Sequence, residues 1–144
     1  RSGFTLSQFE QAVSDLHKRN IPVITHLILG LPGETKEDML SSVRYVGSLP
    51  VTGIKLQLLH ILKGTDLGTA YMADPFPLFT LEEYCDLIAD CIALLPPEIV
   101  IHRLTGDGPR NLLLAPLWST DKKRVLNTIQ KCLRERDLWQ GKNI

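Results

Sequence analysis

The sequence predicts an α/β fold in which parallel strands alternate with helices. Three observations carry that expectation: capping-box spacings ahead of amphipathic runs, short β-branched segments between those runs, and returns marked by glycine or proline. Thr5 and Gln8 stand three apart before Phe9, Val13 and Leu16, whose period predicts a helix over residues 5–20. Residues 21–29 are apolar and β-branched, with Pro22 near the start where a missing N–H does least harm, so they read as a first strand. Thr35 is placed to cap a second helix with Glu37 and Asp38 in its first turn, and Pro50 stops it.

Residues 53–62 form the second predicted strand, in which Ile54, Leu56 and Leu58 alternate with Lys55 and Gln57. One face therefore meets helices, while the other lines a lumen or simply faces solvent. Residues 63–79 are rich in Gly, Pro and Asp and are expected to be a long binding loop, insertion or lid. Thr80 and Glu83 repeat the capping-box spacing and open a helix that Pro96 and Pro97 end. A third strand is expected over residues 98–104, an irregular stretch over 105–119, and a last helix capped by Ser119 or Thr120 and running through Leu133.

Helices alternating with strands at short returns favour parallel strands joined by right-handed crossovers. About three strands make a small sheet whose edges lack partners, which invites self-association or a missing neighbour. The chain also opens at Arg1, without a methionine, almost directly into a helix, and is expected to be one fragment of a longer polypeptide.

Composition gives special partners little support and leaves nucleic acid unsupported rather than excluded. Sixteen basic and sixteen acidic residues cancel, so no net field draws the chain to nucleic acid, and only residues 122–136 are clearly basic. The three cysteines, Cys85, Cys91 and Cys132, form no C-x-x-C pair and suit reduced, structural thiols. No metal site and no catalytic residue is assigned among them. With no bilayer-length apolar run and no signal-peptide pattern, a cytoplasmic location is expected.

The informative segment is HLILGLPGE, residues 26–34, because ligands gather at the carboxyl ends of strands in parallel α/β sheets. Gly30 and Gly33 permit a positive φ or close backbone approach, and Pro32 stiffens the turn between them. The N–H groups opening the next helix would favour a carboxylate or phosphate, although no P-loop lysine follows.

This segment resembles the fifth-strand turn of radical S-adenosylmethionine (SAM) enzymes. LLHILKGTDL, residues 58–67, is similar to the next strand and its Gly-Thr exit in the branch that includes Elp3-like proteins. IHRLTGDGPRNLLLAPLWS, residues 101–119, resembles the bacterial YhcC-like subfamily of predicted Fe–S oxidoreductases. The resemblance implies the C-terminal portion of a partial (β/α) TIM-type barrel with outer helices, spanning residues 1–144. It implies two cofactors for the parent protein, SAM and a cysteine-bound [4Fe–4S] cluster that cleaves it to a deoxyadenosyl radical. The family's C-x-x-x-C-x-x-C loop has no match here, so the fragment alone is expected to be inactive.

By motif position the resemblance implies cofactor contacts from His26, Ile28, Gly30, Leu31, Pro32, Gly33, Glu34, His60 and Ile61. His26 would hydrogen-bond a ribose hydroxyl or be a strand histidine satisfied by backbone. Ile28 would touch adenine or be core, and Glu34 would serve the site or only the helix N-terminus. Asp107, Pro109, Arg110 and Asn111 make a polar loop that either binds substrate or is merely solvated. Trp118 and Trp139 are expected to cover the core edge, with base stacking a lesser role. The alternatives to a SAM-cleaving enzyme are a non-catalytic nucleotide or adenosyl binder and an interaction module for RNA or protein. The expected partner is the small molecule SAM, with the substrate open and no membrane.

Overall fold

A computed structural model describes residues 5–106 and 109–144. Three of its strands, β1 (Ile24–Leu29), β2 (Gly53–Leu58) and β4 (Val100–Arg103), form a parallel sheet in the order β1-β2-β4. The connections run through helices α2 (Lys36–Gly47) and α4 (Leu81–Leu94), as the alternation predicts. β1 and β2 pair in continuous register from Ile24 opposite Gly53 to Leu29 opposite Leu58, whereas β2 and β4 share a bulge between Ile54 and Lys55. Asp107, one of the polar-loop residues, lies outside the described residues.

The helices cover one face of this sheet. α1 (Leu6–Lys18), α2, α4 and α5 (Lys122–Glu135) contribute Val13, Val43, Tyr84, Ile88, Val125 and Ile129 to a core shared with Leu29, Ile54, Leu56 and Leu58. α4 is enclosed along most of its length, which is why Cys85 and Cys91 are both buried although six residues apart. Burial pushes both thiols up to about 12, so they behave as small apolar side chains.

Three helices open with the reciprocal bonds their sequences call for. Thr5 with Gln8, Thr35 with Asp38 and Thr80 with Glu83 each exchange side-chain and backbone hydrogen bonds of 2.9–3.1 Å. Outside the sheet, Arg136 donates to Asp86 at 2.8 Å and Asp90 at 2.6 Å, and Lys36 reaches Asp90 at 2.8 Å. This network joins α2, α4 and the end of α5.

The structure corrects several expectations. The first helix stops at Lys18, with Asn20 at a positive φ of 58°, and the first strand starts at Ile24 rather than residue 21. The second predicted strand is broken after Leu58: Ile61–Leu62 forms a separate strand, β3, antiparallel to β5 (Leu113–Ala115). The strands are therefore not all parallel. Residues 63–79 are not wholly loop, because Thr65 caps a helix α3 (Asp66–Ala73). Residues 105–119 likewise hold β5 and a 3-10 turn at Arg110–Leu112, with a second turn at Leu117–Thr120. Asp121, not Ser119 or Thr120, caps α5 by accepting from the Arg124 N–H at 3.1 Å. Trp118 packs at the core edge as expected, but Trp139 is 56% exposed and stacks under Lys142 instead.

Candidate functional site

The carboxyl tips of the three parallel strands converge. Leu59 N–H donates to the Leu29 carbonyl at 2.9 Å, extending the β1–β2 ladder to the point where both strands end. A Cβ on Gly30 would lie 3.9 Å from that of Leu59 and 3.3 Å from the Phe79 ring. The His60 ring lies over Gly106, just past the end of β4, so closely that a Cβ there would collide with it. Gly30, His60 and Gly106 thus bring β1, β2 and β4 to one rim.

The β1–α2 turn is shaped as the sequence implies. Gly30 and Gly33 have φ of +91° and +83°, and the Glu34 N–H closes the turn on the Leu31 carbonyl at 3.1 Å. Their reasons differ. Gly30 needs both its φ and the room for Phe79, while Gly33 has open space around it and is required by φ alone. Leu31, Pro32 and Gly33 are exposed. Between this turn and residues 77–79 lies a hollow of about 390 Å³ lined by Gly30, Leu31, Gly33, Glu34 and Phe79.

Glu34 borders this hollow. The residue is half-buried, yet its Oε1 is shielded from solvent and has no hydrogen-bond partner among the described residues. Burial, assisted by the nearby Asp38 charge, raises its carboxyl above the usual range. A group with a hydroxyl or amine to offer would satisfy that oxygen. The α2 N-terminus does not fit the expected anion. Asp38 and Thr35 already occupy each other's N–H groups, and Glu37 and Asp38 place two acidic residues in the first turn.

His26 and Ile28 are exposed on the sheet face opposite the helices, alternating with buried Thr25 and Leu29. Lys55 and Gln57, half-buried, continue that open face on β2. Ile28 is therefore not core. Ile61 is different, because its side chain is fully buried in the β3–β5 ladder and only its backbone remains for a ligand. Arg110 donates to the Thr120 carbonyl at 2.8 Å, which ties the polar loop back to the chain.

Sequence reasoning missed the aromatic support behind this rim. Tyr84 is fully buried and donates its hydroxyl to the Leu104 carbonyl at 2.7 Å, while Trp118 Nε1 donates to the Phe79 carbonyl at 3.0 Å. The Tyr84 ring stands 6.3 Å from Phe79 and 5.6 Å from Trp118, and burial raises its hydroxyl pKa. The only local signal was the Phe79–Thr80 junction ahead of a capped helix.

The cysteines do not fit an iron–sulfur cluster. Cys85 and Cys91 are buried in α4, Cys132 lies on α5 with its Sγ 3.4 Å from Asp86, and burial, the larger cause, raises its thiol too. Among the described residues no group of three or more His, Cys, Asp or Glu is arranged to hold a metal ion. Nor is any described helix long and apolar enough to cross a membrane.

A family model described as Radical_SAM C-terminal domain matches residues 51–135. The chain belongs to this radical SAM family. The uncharacterized protein YtqA of Bacillus subtilis (strain 168) is 40% identical over 134 residues, which cover 93% of this chain and 42% of YtqA. Protein YhcC of Escherichia coli (strain K12) is 32% identical over 133 residues, covering 92% of this chain and 43% of YhcC. The radical SAM chain thus spans less than half the length of these relatives. Among solved structures, the archaeal Methanocaldococcus infernus Elp3 with an N-terminal deletion superposes with a TM-score of 0.76 at 17% identity, over 96% of this chain and 32% of that one. That likeness is one of fold, and a three-stranded parallel sheet with helices on one face is a partial barrel of this kind.

Proposed function

We propose that this chain is the C-terminal wall of a radical SAM barrel and that its strand tips seat the adenosyl part of SAM. The parent enzyme, on this reading an Fe–S oxidoreductase, binds its [4Fe–4S] cluster through thiolates outside these 144 residues, and the chain alone is inactive. The observation that carries the reading is the rim itself. Two positive-φ glycines hold the β1–α2 turn open beside a carboxyl oxygen with no partner among the described residues, at the strand ends where ligands of parallel α/β folds collect.

The roles follow from position. Ile28 supplies an apolar contact from the open face, and His26, one step deeper, offers a ring nitrogen to a ribose hydroxyl. Leu31, Pro32 and Gly33 give a stiff, exposed lip that needs little ordering on binding. The Glu34 carboxylate accepts from a ligand hydroxyl or amine. His60 and the Ile61 backbone close the second side, with His60 fixed over Gly106. Bound together, SAM and a reduced cluster supply radical chemistry; this chain's part is to orient and shield.

Equilibrium dialysis of SAM against the purified chain tests the reading. SAM retention that Gly30→Val abolishes, with no iron–sulfur absorption after anaerobic reconstitution, is the expected result. A chain that retains no SAM, or takes up a cluster by itself, overturns it. Retention by the parent protein with no SAM cleavage once its cluster is assembled would instead favour a non-catalytic adenosyl binder.

A further inference from the structure

The whole chain is electrically neutral, yet its charge is not evenly placed on the sheet. In register, His26 of β1 is the partner of Lys55 of β2, and Lys55 is the partner of Arg103 of β4. Partners in a parallel ladder point to the same face, so three nitrogen-bearing side chains form one row across the open face. With neighbouring strands about 4.8 Å apart, the row is about 10 Å wide. The bulge after Ile54 adds His102, whose ring lies over Gly53 where a Cβ would approach it to 2.5 Å. None of the three strands contains an acidic residue.

Lys55 is the centre of the row. It is half-buried and forms no hydrogen bond or ion pair among the described residues, in contrast to Lys36, which reaches Asp90 at 2.8 Å. Above the row, toward the rim, Ile28 and Gln57 form the next layer, and the Gly30 turn lies beyond that. At about 3.3 Å per residue, the row is about 13 Å below the turn along β1. An adenosyl group at the rim, its ribose reaching no deeper than His26, therefore leaves Lys55 and Arg103 of the row uncovered.

We propose that the His26–Lys55–Arg103 row binds a small anionic group, a carboxylate or phosphate, carried by the substrate and held deeper in the barrel than the cofactor. The inference rests on the proposed function in taking the open face as the barrel interior. The α2 N-terminus, the anion seat that the sequence suggests, is filled by Asp38 instead. Charge-assisted bonds from Lys55, with Arg103 and the two histidines around it, suit a single compact anion better than an apolar or cationic ligand.

The test titrates the 144-residue chain with inorganic phosphate and, separately, with acetate, following the Lys55 side-chain nitrogen and the amides of residues 26, 55 and 103 by NMR. The expected result is saturable shifts on this row. Lys55→Met should weaken binding by about tenfold, the loss of one charge-assisted bond, and Lys55→Arg should restore it. The tighter of the two probes identifies the group. An intact amide spectrum certifies each variant's fold, and the wild-type nitrogen signal reports on the site without any variant. Equal binding by a folded Lys55→Met chain, or a Lys55 signal that neither probe moves, overturns the proposal. So does competition by SAM, because the row would then hold the cofactor's own carboxylate. Failure of 5′-deoxyadenosine to bind at the Gly30 turn counts against the proposed function alone and leaves the phosphate result standing.

Discussion

The two faces of the parallel sheet differ in what their side chains must do. Toward the helices, Leu29, Ile54 and Leu56 are fully buried and packed with Val43, Tyr84 and Ile88. Toward the open side, Ile24, Ile28 and Val100 are 43%, 45% and 55% exposed, between His26, Lys55 and Gln57. Alternation along each strand sorts one set from the other, so the same six-residue strand carries stability on one face and leaves the other open to solvent or a ligand. What holds the fold together is thus separable from the face proposed to bind.

Truncating one residue from each face measures the difference most directly. Ile54→Ala empties a closed space and is expected to cost about 2–5 kcal/mol in urea unfolding. Ile28→Ala, on the open face, should cost about 0.5 kcal/mol or less by the same measurement. Similar losses at both positions would mean that the open face is packed in solution.

The rim should respond between these limits. Gly30→Ala forces a side chain into a left-handed conformation against Phe79 and is expected to cost about 1–3 kcal/mol. Gly33→Ala meets the φ penalty without the contact and should cost about 1 kcal/mol less. Thermal unfolding of the two variants side by side separates conformational strain from crowding.

Charge gives the smaller effects. Burial works against ionised Asp90, but the hydrogen bonds from Lys36 and Arg136 outweigh it and hold its carboxyl below the usual range. Its contribution is therefore complete above the ordinary carboxylate pKa and is lost as pH falls through the lowered value. Arg136→Ala should cost about 1 kcal/mol at neutral pH and flatten the acid limb of the stability curve. Glu34 runs the other way. Its raised carboxyl disfavours the ionised form in the fold, so the penalty is absent below the ordinary pKa and grows as pH rises. Glu34→Gln should leave stability unchanged in acid and raise it slightly at neutral pH, as read from melting temperatures across that range.

Local signals explain what the sequence made legible. Thr5 with Gln8, Thr80 with Glu83 and the Thr35 cap announce helices because each box is satisfied within four residues. Gly30 and Gly33 announce the turn because only glycine takes their φ without strain. α3 escaped notice because it is short, weakly amphipathic and set among Gly and Pro, with Gly68 placed to let it approach the Leu62 carbonyl. The β3–β5 ladder joins two very short strands about fifty residues apart, and no local pattern encodes such pairing. Phe79 and Gly106 were invisible as site residues for the same reason, since their roles come from tertiary neighbours.

The strand tips are proposed to form an adenosyl seat. Amide chemical-shift mapping with 5′-deoxyadenosine tests it most directly. Shifts are expected only at residues 26, 28–34, 60–61 and 106, with the buried face of the sheet silent. Shifts that instead cluster on the groove between α4 and α5, or no shifts at saturating ligand, would contradict it.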